Sequence, residues 1–243
     1  MRRRFFVEKF DRDTAIIHGE TAEHLGRVLR AERGQLYELS DGESVWLARI
    51  ENVFVPKRGE SKIDFALIEP IAAREPAVAL HLLISLVKFD RFEWCLEKAA
   101  ELGAREIVPL SAARTDKPLI DAAAKRSARW QKILIESAQQ ARLMKPTTLA
   151  EAARATEAFS KSEADCKILL SERADAPPIR QIVAGGTKIT AAALAIGPEG
   201  GWTDQEIATA RASGFAEASL GETILRTETA VIAAASVVRF ALG

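Results

Sequence analysis

"ALHLLISLVKFDRFEWCLEKAAELGAREIVPL", Ala79–Leu110, changes its period twice. "ALHLLISLV" is nearly continuously apolar, the pattern of a strand buried on both faces. In "RFEWCLEKAAELG", Phe92, Cys95, Leu96, Ala99 and Leu102 fall on one helical face, and Gly103 stands where a helix would stop. "EIVPL" reads as the next strand. Strand, helix and strand at these lengths predict an α/β domain with a largely parallel sheet.

The alternation continues downstream. "AKRSARWQKILIESAQQAR" predicts a long helix with Trp130, Ile133, Leu134, Ser137, Ala138 and Ala141 on one stripe. "CKILLSE" and "ITAAALAIG" read as strands, "TDQEIATARASG" as a helix, "AEASLG" as a short strand and "RTETAVIAAASVVRFALG" as a final helix. Thr203 and Glu206 have the spacing of a capping box. Upstream, residues 1–70 read differently. "TAIIHG", "QLYELSDGESVWLARIENV" and "KIDFALIEP" are short strands, with a hairpin turn at Ser40–Glu43, where Asp-Gly supplies positive φ angles. "TAEHLGRVLRAERG" predicts a short helix with Thr21 as its N-cap. This is a small β-rich module of barrel type. Glu69–Ala79, with two prolines, reads as a linker to a second domain over residues 77–243.

Composition narrows the possible functions. The 243 residues are 48% hydrophobic and 28% charged, as in an ordinary globular protein. No apolar run reaches the roughly 20 residues that cross a bilayer, and no apolar stretch follows the basic start "MRRRFFVEKFDRD" as in a signal peptide. Cys95 and Cys166 lie far apart in apolar contexts, which predicts buried free thiols in a reducing cytoplasm. His18, His24 and His81 show no ligand spacing, so no metal site is expected. The net formal charge of zero argues against a protein that coats nucleic acid non-specifically. Even so, the segment from Arg114 to Lys145 carries eight basic and three acidic residues, an excess of 8 − 3 = +5. That segment is either a solvated helix face or a basic surface for a polyanion.

Ligands of parallel sheets bind at the C-terminal ends of the strands. Three predicted strands end in suggestive loops there: "LLSER" (Leu169–Arg173), "AIGPEGGWT" (Ala195–Thr203) and "SLGETILRTETA" (Ser219–Ala230). The glycine loop lacks the Lys-Ser or Lys-Thr of a phosphate loop and the spacing of a dinucleotide fingerprint, which weighs against a kinase or dehydrogenase. It is either a tight strand-to-helix turn or a stretch whose backbone N–H and C=O groups face a flat ligand. In the third loop, Thr227, Glu228 and Thr229 suit a helix start. Arg226 does not, because a cation there opposes the helix dipole. It needs an anionic or electron-rich partner.

These residues resemble the RsmE-type methyltransferases of the SPOUT superfamily, enzymes that methylate RNA with S-adenosylmethionine. "GPEGGWTDQEI" and "LGETILRTETA" resemble the family's signature pair. "KFDRFEWCLEKAAELG" is similar to its lysine-glutamate-leucine-glycine segment, and "ESAQQARLMKP" to its glutamine-x-arginine segment. "RRFFV" and "HLGRVLR" with Gly34 resemble its N-terminal PUA-like RNA-binding β-barrel. Glu222 and Thr223 stand where the family more often has a proline or a basic residue. The resemblance implies a C-terminal α/β domain with a deep trefoil knot, a homodimer, and a cofactor bent into the knot. By motif match, Leu170, Ser171, Gly197, Glu199, Gly200, Gly201, Leu220, Gly221, Leu225 and Thr227 would contact that cofactor. The reaction it implies is methylation of N3 of one uridine of 16S ribosomal RNA in the small ribosomal subunit.

Uridine N3 becomes a nucleophile only on losing its proton, so the site must favour the ring anion. Arg226, then Arg142, are the candidates for stabilising it. Glu199 or Glu228 could accept the proton, or could instead hold an arginine or a helix N-terminus. RNA contacts are expected from Arg2, Arg3, Arg4, Arg27 and Arg30 and from Arg114 and Arg142. Two rivals remain: the same chemistry on a different RNA, and a non-catalytic RNA-binding protein of ribosome assembly.

Overall fold

The structure, a computed structural model, describes residues 3–73, 75–183 and 189–242. Arg2 and the linker residue Arg74 lie outside them. The chain forms two compact units. One comprises Met1–Glu75 with Arg142–Lys145; the other comprises Pro76–Ala141 with Pro146–Gly243.

The first unit is a five-stranded mixed sheet, β1 (Arg4–Phe6), β2 (Thr14–His18), β3 (Leu36–Ser40), β4 (Val45–Phe54) and β5 (Lys62–Pro70), in the order β1-β3-β4-β5-β2. Only β1 and β3 pair in parallel. Its core is Phe5, Ile17, Leu25, Leu39, Ile50 and Phe65 with small residues between them. At the β3–β4 turn only Gly42 takes a positive φ, 89°. The expected pair of positive φ angles is absent because Asp41 holds the turn another way. Its carboxylate accepts from the backbone N–H of Glu43 at 2.9 Å and of Ser44 at 2.8 Å. The predicted helix also starts earlier than Thr21. α1 (Gly19–Glu23) is capped at His18 without a side-chain hydrogen bond and runs on as a π-helical stretch, His24–Val28.

The segment 142–145, expected in the second domain, joins this unit through one carboxylate. Glu38, 2% exposed, receives Arg4 at 3.1 and 2.9 Å and pairs with Arg142, whose Nε donates at 3.1 Å. Ser40 Oγ donates to Met144 O at 2.7 Å. A buried carboxylate persists only when its charge is matched and its lone pairs are filled, and two guanidinium groups do both. Arg4, expected to face RNA, is instead buried in this pair.

The second unit is an all-parallel sheet built from β6 (Ala79–Ser85), β7 (Glu106–Ser111), β8 (Thr148–Leu149), β9 (Ala153–Arg154), β10 (Cys166–Leu170), β11 (Ala191–Ile196) and β12 (Ala216–Ala218). The order is β12-β10-β11-β6-β7, with β8 and β9 each pairing one end of β7. The helices are α2 (Phe89–Glu101), α3 (Lys117–Ala123), α4 (Ser127–Gln140), α5 (Ala155–Lys161), α6 (Ile179–Val183), α7 (Asp204–Ala212) and α8 (Thr227–Leu242). The expected long helix opens as a 3-10 turn at Ala124–Arg126 before α4, and α3 ahead of it was not expected. The period of two along each strand feeds two cores. Leu80, Leu82 and Ile84 of β6 and Leu194 of β11 join the core with α2, α4 and α8. Leu83, Leu169, Ala193 and Ala195 face α5, α7, Phe159 and Trp202 on the other side.

Pro109 within β7 is explained by its neighbours. Arg105 O and Ile107 O accept from Thr148 and Ala150 on the outer side, so by the two-residue repeat Pro109 turns its missing N–H that way too. It falls in the gap between β8 and β9.

Removing Glu38 leaves Arg4 buried without a counter-charge. Glu38→Ala is expected to destabilise the first unit by about 3 kcal/mol, read as a lowered denaturant midpoint. An unchanged midpoint would show that the two arginines need no such partner.

Candidate active site

β12, β10 and β11 are adjacent and parallel, so the loops that follow them leave the sheet at one end. Side chains then tie the loops together. Trp202, buried against Phe159 edge-to-face at 5.5 Å, donates from Nε1 to Leu170 O at 2.9 Å. Thr227 Oγ1 donates to Gly197 O at 3.3 Å. Ser171 N donates to Ala218 O at 2.9 Å, and Ile179 N to Ser219 O at 2.9 Å.

The glycine loop is folded tightly on itself. Gly201 N bonds Pro198 O at 2.9 Å, and Gly201 has φ 68°. A Cβ on Gly197 would stand 3.1 Å from the Trp202 ring, and one on Gly200 would stand 3.3 Å from Arg114 Cβ. Arg114 also donates to Gly200 O at 2.7 Å. The backbone is therefore partly engaged already: the carbonyls of Gly197 and Gly200 each serve a side chain, with one lone pair left for anything else. The turn ends in the expected capping box. Glu206 is buried, accepts from Thr203 N at 2.9 Å and from Thr203 Oγ1 at 2.8 Å, and fixes Ala113 N at 2.8 Å.

The third loop carries Leu220 and Leu225, half-buried against the core, and Gly221 at φ 134° with open space beside its Cα. Arg226 is exposed, and its guanidinium makes no hydrogen bond or ion pair among the described residues. Glu199 does have a partner: it pairs with Arg91 in the first turn of α2. Arg91 Nε also lies 3.9 Å from Glu228 Oε1. Glu228 is 4% exposed, and its Oε2 has no hydrogen-bond donor among the described residues. Burial, and behind it the Glu228 charge, pushes the Cys95 thiol up to about 12.

The structure thus brings together Leu170, Ser171, Gly197, Glu199, Gly200, Gly201, Leu220, Gly221, Leu225, Arg226 and Thr227. Arg142 belongs to the other unit and is committed to Glu38. Arg3, Arg27 and Arg30 are exposed, and Arg27 is tied to Glu23 at 2.5 Å and to Pro56 O at 2.6 Å. Arg91 and Trp202 went unread in the sequence. Arg91 carries the same signal as Arg226, a cation in a helix's first turn against the dipole.

The comparisons with known proteins bear on this arrangement. A family model described as an RNA methyltransferase domain matches residues 74–239. The chain belongs to the RNA methyltransferase family. It is 32% identical, over 85% of its length and 66% of the relative's, to the ribosomal RNA small subunit methyltransferase E of Synechocystis. To the Bacillus subtilis protein of the same name it is 28% identical, over 98% of its own length and 96% of the relative's. The crystal structure of that methyltransferase from Neisseria gonorrhoeae, bound to S-adenosylmethionine, superposes with a TM-score of 0.84 at 28% identity, covering 99% of this chain and 98% of that one.

In a Cys166→Ala background, Cys95 is expected to stay unlabelled by a disulfide reagent between pH 7 and pH 9 and to react once the protein is unfolded. The raised pKa favours the folded state while the unfolded thiol is still protonated. That contribution is lost as pH climbs from about 8.5, where the unfolded thiol ionises, toward about 12. Rapid labelling of the folded protein would contradict the burial.

Proposed function

We propose that this chain transfers a methyl group from S-adenosylmethionine to N3 of a specific uridine in 16S ribosomal RNA of the small ribosomal subunit. S-adenosylmethionine supplies the methyl as an electrophile when bound. The second unit is read as a SPOUT domain threaded in a deep trefoil knot. The likeness over 99% of this chain to the S-adenosylmethionine-bound methyltransferase from Neisseria gonorrhoeae supports this reading. The first unit is read as a PUA-like RNA-binding barrel on its five-stranded mixed sheet. A homodimer is proposed on the exposed apolar side chains Ile224 and Phe240, 76% and 94% accessible.

The residues present fit the cofactor. Gly197 and Gly200 already stand against neighbouring side chains, so a larger residue at either position would push into the loop. Gly221 opens a flat approach to the third loop, and Leu220 and Leu225 offer apolar surface for a purine. The observation that carries the reading is Arg226. It is a cation without a partner among the described residues at the head of α8, next to Thr227, whose hydroxyl bonds Gly197 O in the glycine loop. There it stabilises negative charge on the uracil ring as N3 gives its proton to bulk water and bonds the methyl while the sulfonium–methyl bond breaks, and the loops hold the reactants in line. Arg142, the second arginine considered, is set aside because it belongs to the other unit, where its guanidinium is engaged by Glu38. Glu199 acts as a brace for Arg91 rather than as the base.

Small subunits from cells lacking this protein, incubated with it and methyl-labelled S-adenosylmethionine, should gain one label. That label should stop primer extension at one uridine. A label that leaves extension unimpeded would move the reaction to another atom, and no transfer at all would favour a binding protein without chemistry. Arg226→Ala should lower the methylation rate by about 10²–10³-fold with cofactor affinity by calorimetry unchanged. Full activity would remove Arg226 from the mechanism.

A further inference from the structure

Arg91 occupies a costly place. It is the third residue of α2, after the cap at Lys88, where the helix dipole disfavours a cation. Two acids from different segments meet it there: Glu199 from the glycine loop after β11, and Glu228 from the first turn of α8. Its side chain is 26% exposed, and Glu228's is 5% exposed. Among the described residues no other cation lies within ion-pair distance of either carboxylate. The orphan Oε2 of Glu228 makes that charge depend further on Arg91. Arg226 stands two residues before Glu228, and Arg226 O accepts the backbone N–H of Ala230 at 2.8 Å in the first turn of α8. Whatever fixes Glu228 therefore fixes the stretch from which Arg226 projects.

We propose that Arg91 is a positioning residue of the methyl-transfer site, clamping the glycine loop through Glu199 and the head of α8 through Glu228 so that Arg226 faces the reacting ring. The proposal rests on the methyl-transfer reading above. Arg91 touches neither cofactor nor base in this scheme, and it acts through two carboxylates. A small displacement of a catalytic group is enough to cost about 10²-fold in rate.

The test uses the full chain and the variants Arg91→Ala, Arg91→Lys, Arg226→Ala and the double Arg91→Ala/Arg226→Ala. With small subunits as substrate and saturating S-adenosylmethionine, Arg91→Ala should lower kcat by about 10²-fold with KM for the subunit unchanged. Arg91→Lys should recover about tenfold of that loss, because an ammonium can still meet one carboxylate. In the Arg226→Ala background, Arg91→Ala should cost less than threefold more, because the two act as a unit. Full additivity, or a lysine variant no better than alanine, would overturn the proposal. Hydrogen exchange on the protein alone gives a readout independent of activity. Arg91→Ala should speed exchange in both residues 197–203 and residues 226–230, and unchanged exchange in either segment would overturn the clamp. If the unsubstituted chain transfers no methyl, the functional reading fails while the exchange result still judges Arg91.

Discussion

A parallel sheet gathers the ends of its strands, and in this chain β11 pairs on one side with β6 and on the other with β10. That double pairing determines where everything else stands. It sets the glycine loop after β11 beside the loop after β10, with β12 and its loop next in line. The pairing is stable because both faces are covered: alternate residues of β6, β10 and β11 enter two separate cores. The alanines of β11 let helices approach closely on either side. The loops inherit their proximity from the register of the sheet. They then hold it with a few side chains, Trp202 on Leu170 O and Thr227 on Gly197 O.

Much of this was legible in the sequence, for identifiable reasons. β5 and α7 read clearly because each has a clean period and a chemical end: Thr203 and Glu206 form the capping box their spacing announces, and Gly214 takes the positive φ that ends the helix. β8 and β9 were not legible, since two residues carry no period. α1 starts at Gly19 although Thr21 offers a better cap, because tertiary pairing, with Gly19 N on Ser61 O at 3.0 Å, overrides the local preference. The excursion of residues 142–145 into the first unit depends on Glu38, which lies 104 positions away from Arg142. No local pattern encodes a pairing of that span.

The gathering of the candidate loops at one end of the sheet was legible for the same reasons. Glycines, leucines and Arg226 lie in short motifs whose strand-end placement follows from the alternation of elements. The brace on Glu199 does not, since Arg91 stands 108 positions before it. Glu199 was open in the sequence to reading as a proton acceptor or as a holder of an arginine or a helix N-terminus. An acid paired with a guanidinium has one face occupied, which is the condition of a brace.

Arg91 and Arg226 pose the same electrostatic problem in two states of solution. Each is a cation at a helix start, where the dipole costs of order 0.3–1 kcal/mol at an exposed position. For Arg91 two carboxylates offset that cost within the protein. For Arg226 nothing among the described residues does, although Glu228 is only two positions away and turns inward to the buried side. If Glu228 instead faced Arg226, the pair would neutralise each other and leave Arg91 with Glu199 alone. With Glu228 turned toward Arg91, Arg226 has no counter-charge among the described residues. An unpaired guanidinium beside a backbone wall is what a reacting ring needs as it gathers negative charge, because its partner is then supplied by the reaction and not by the fold.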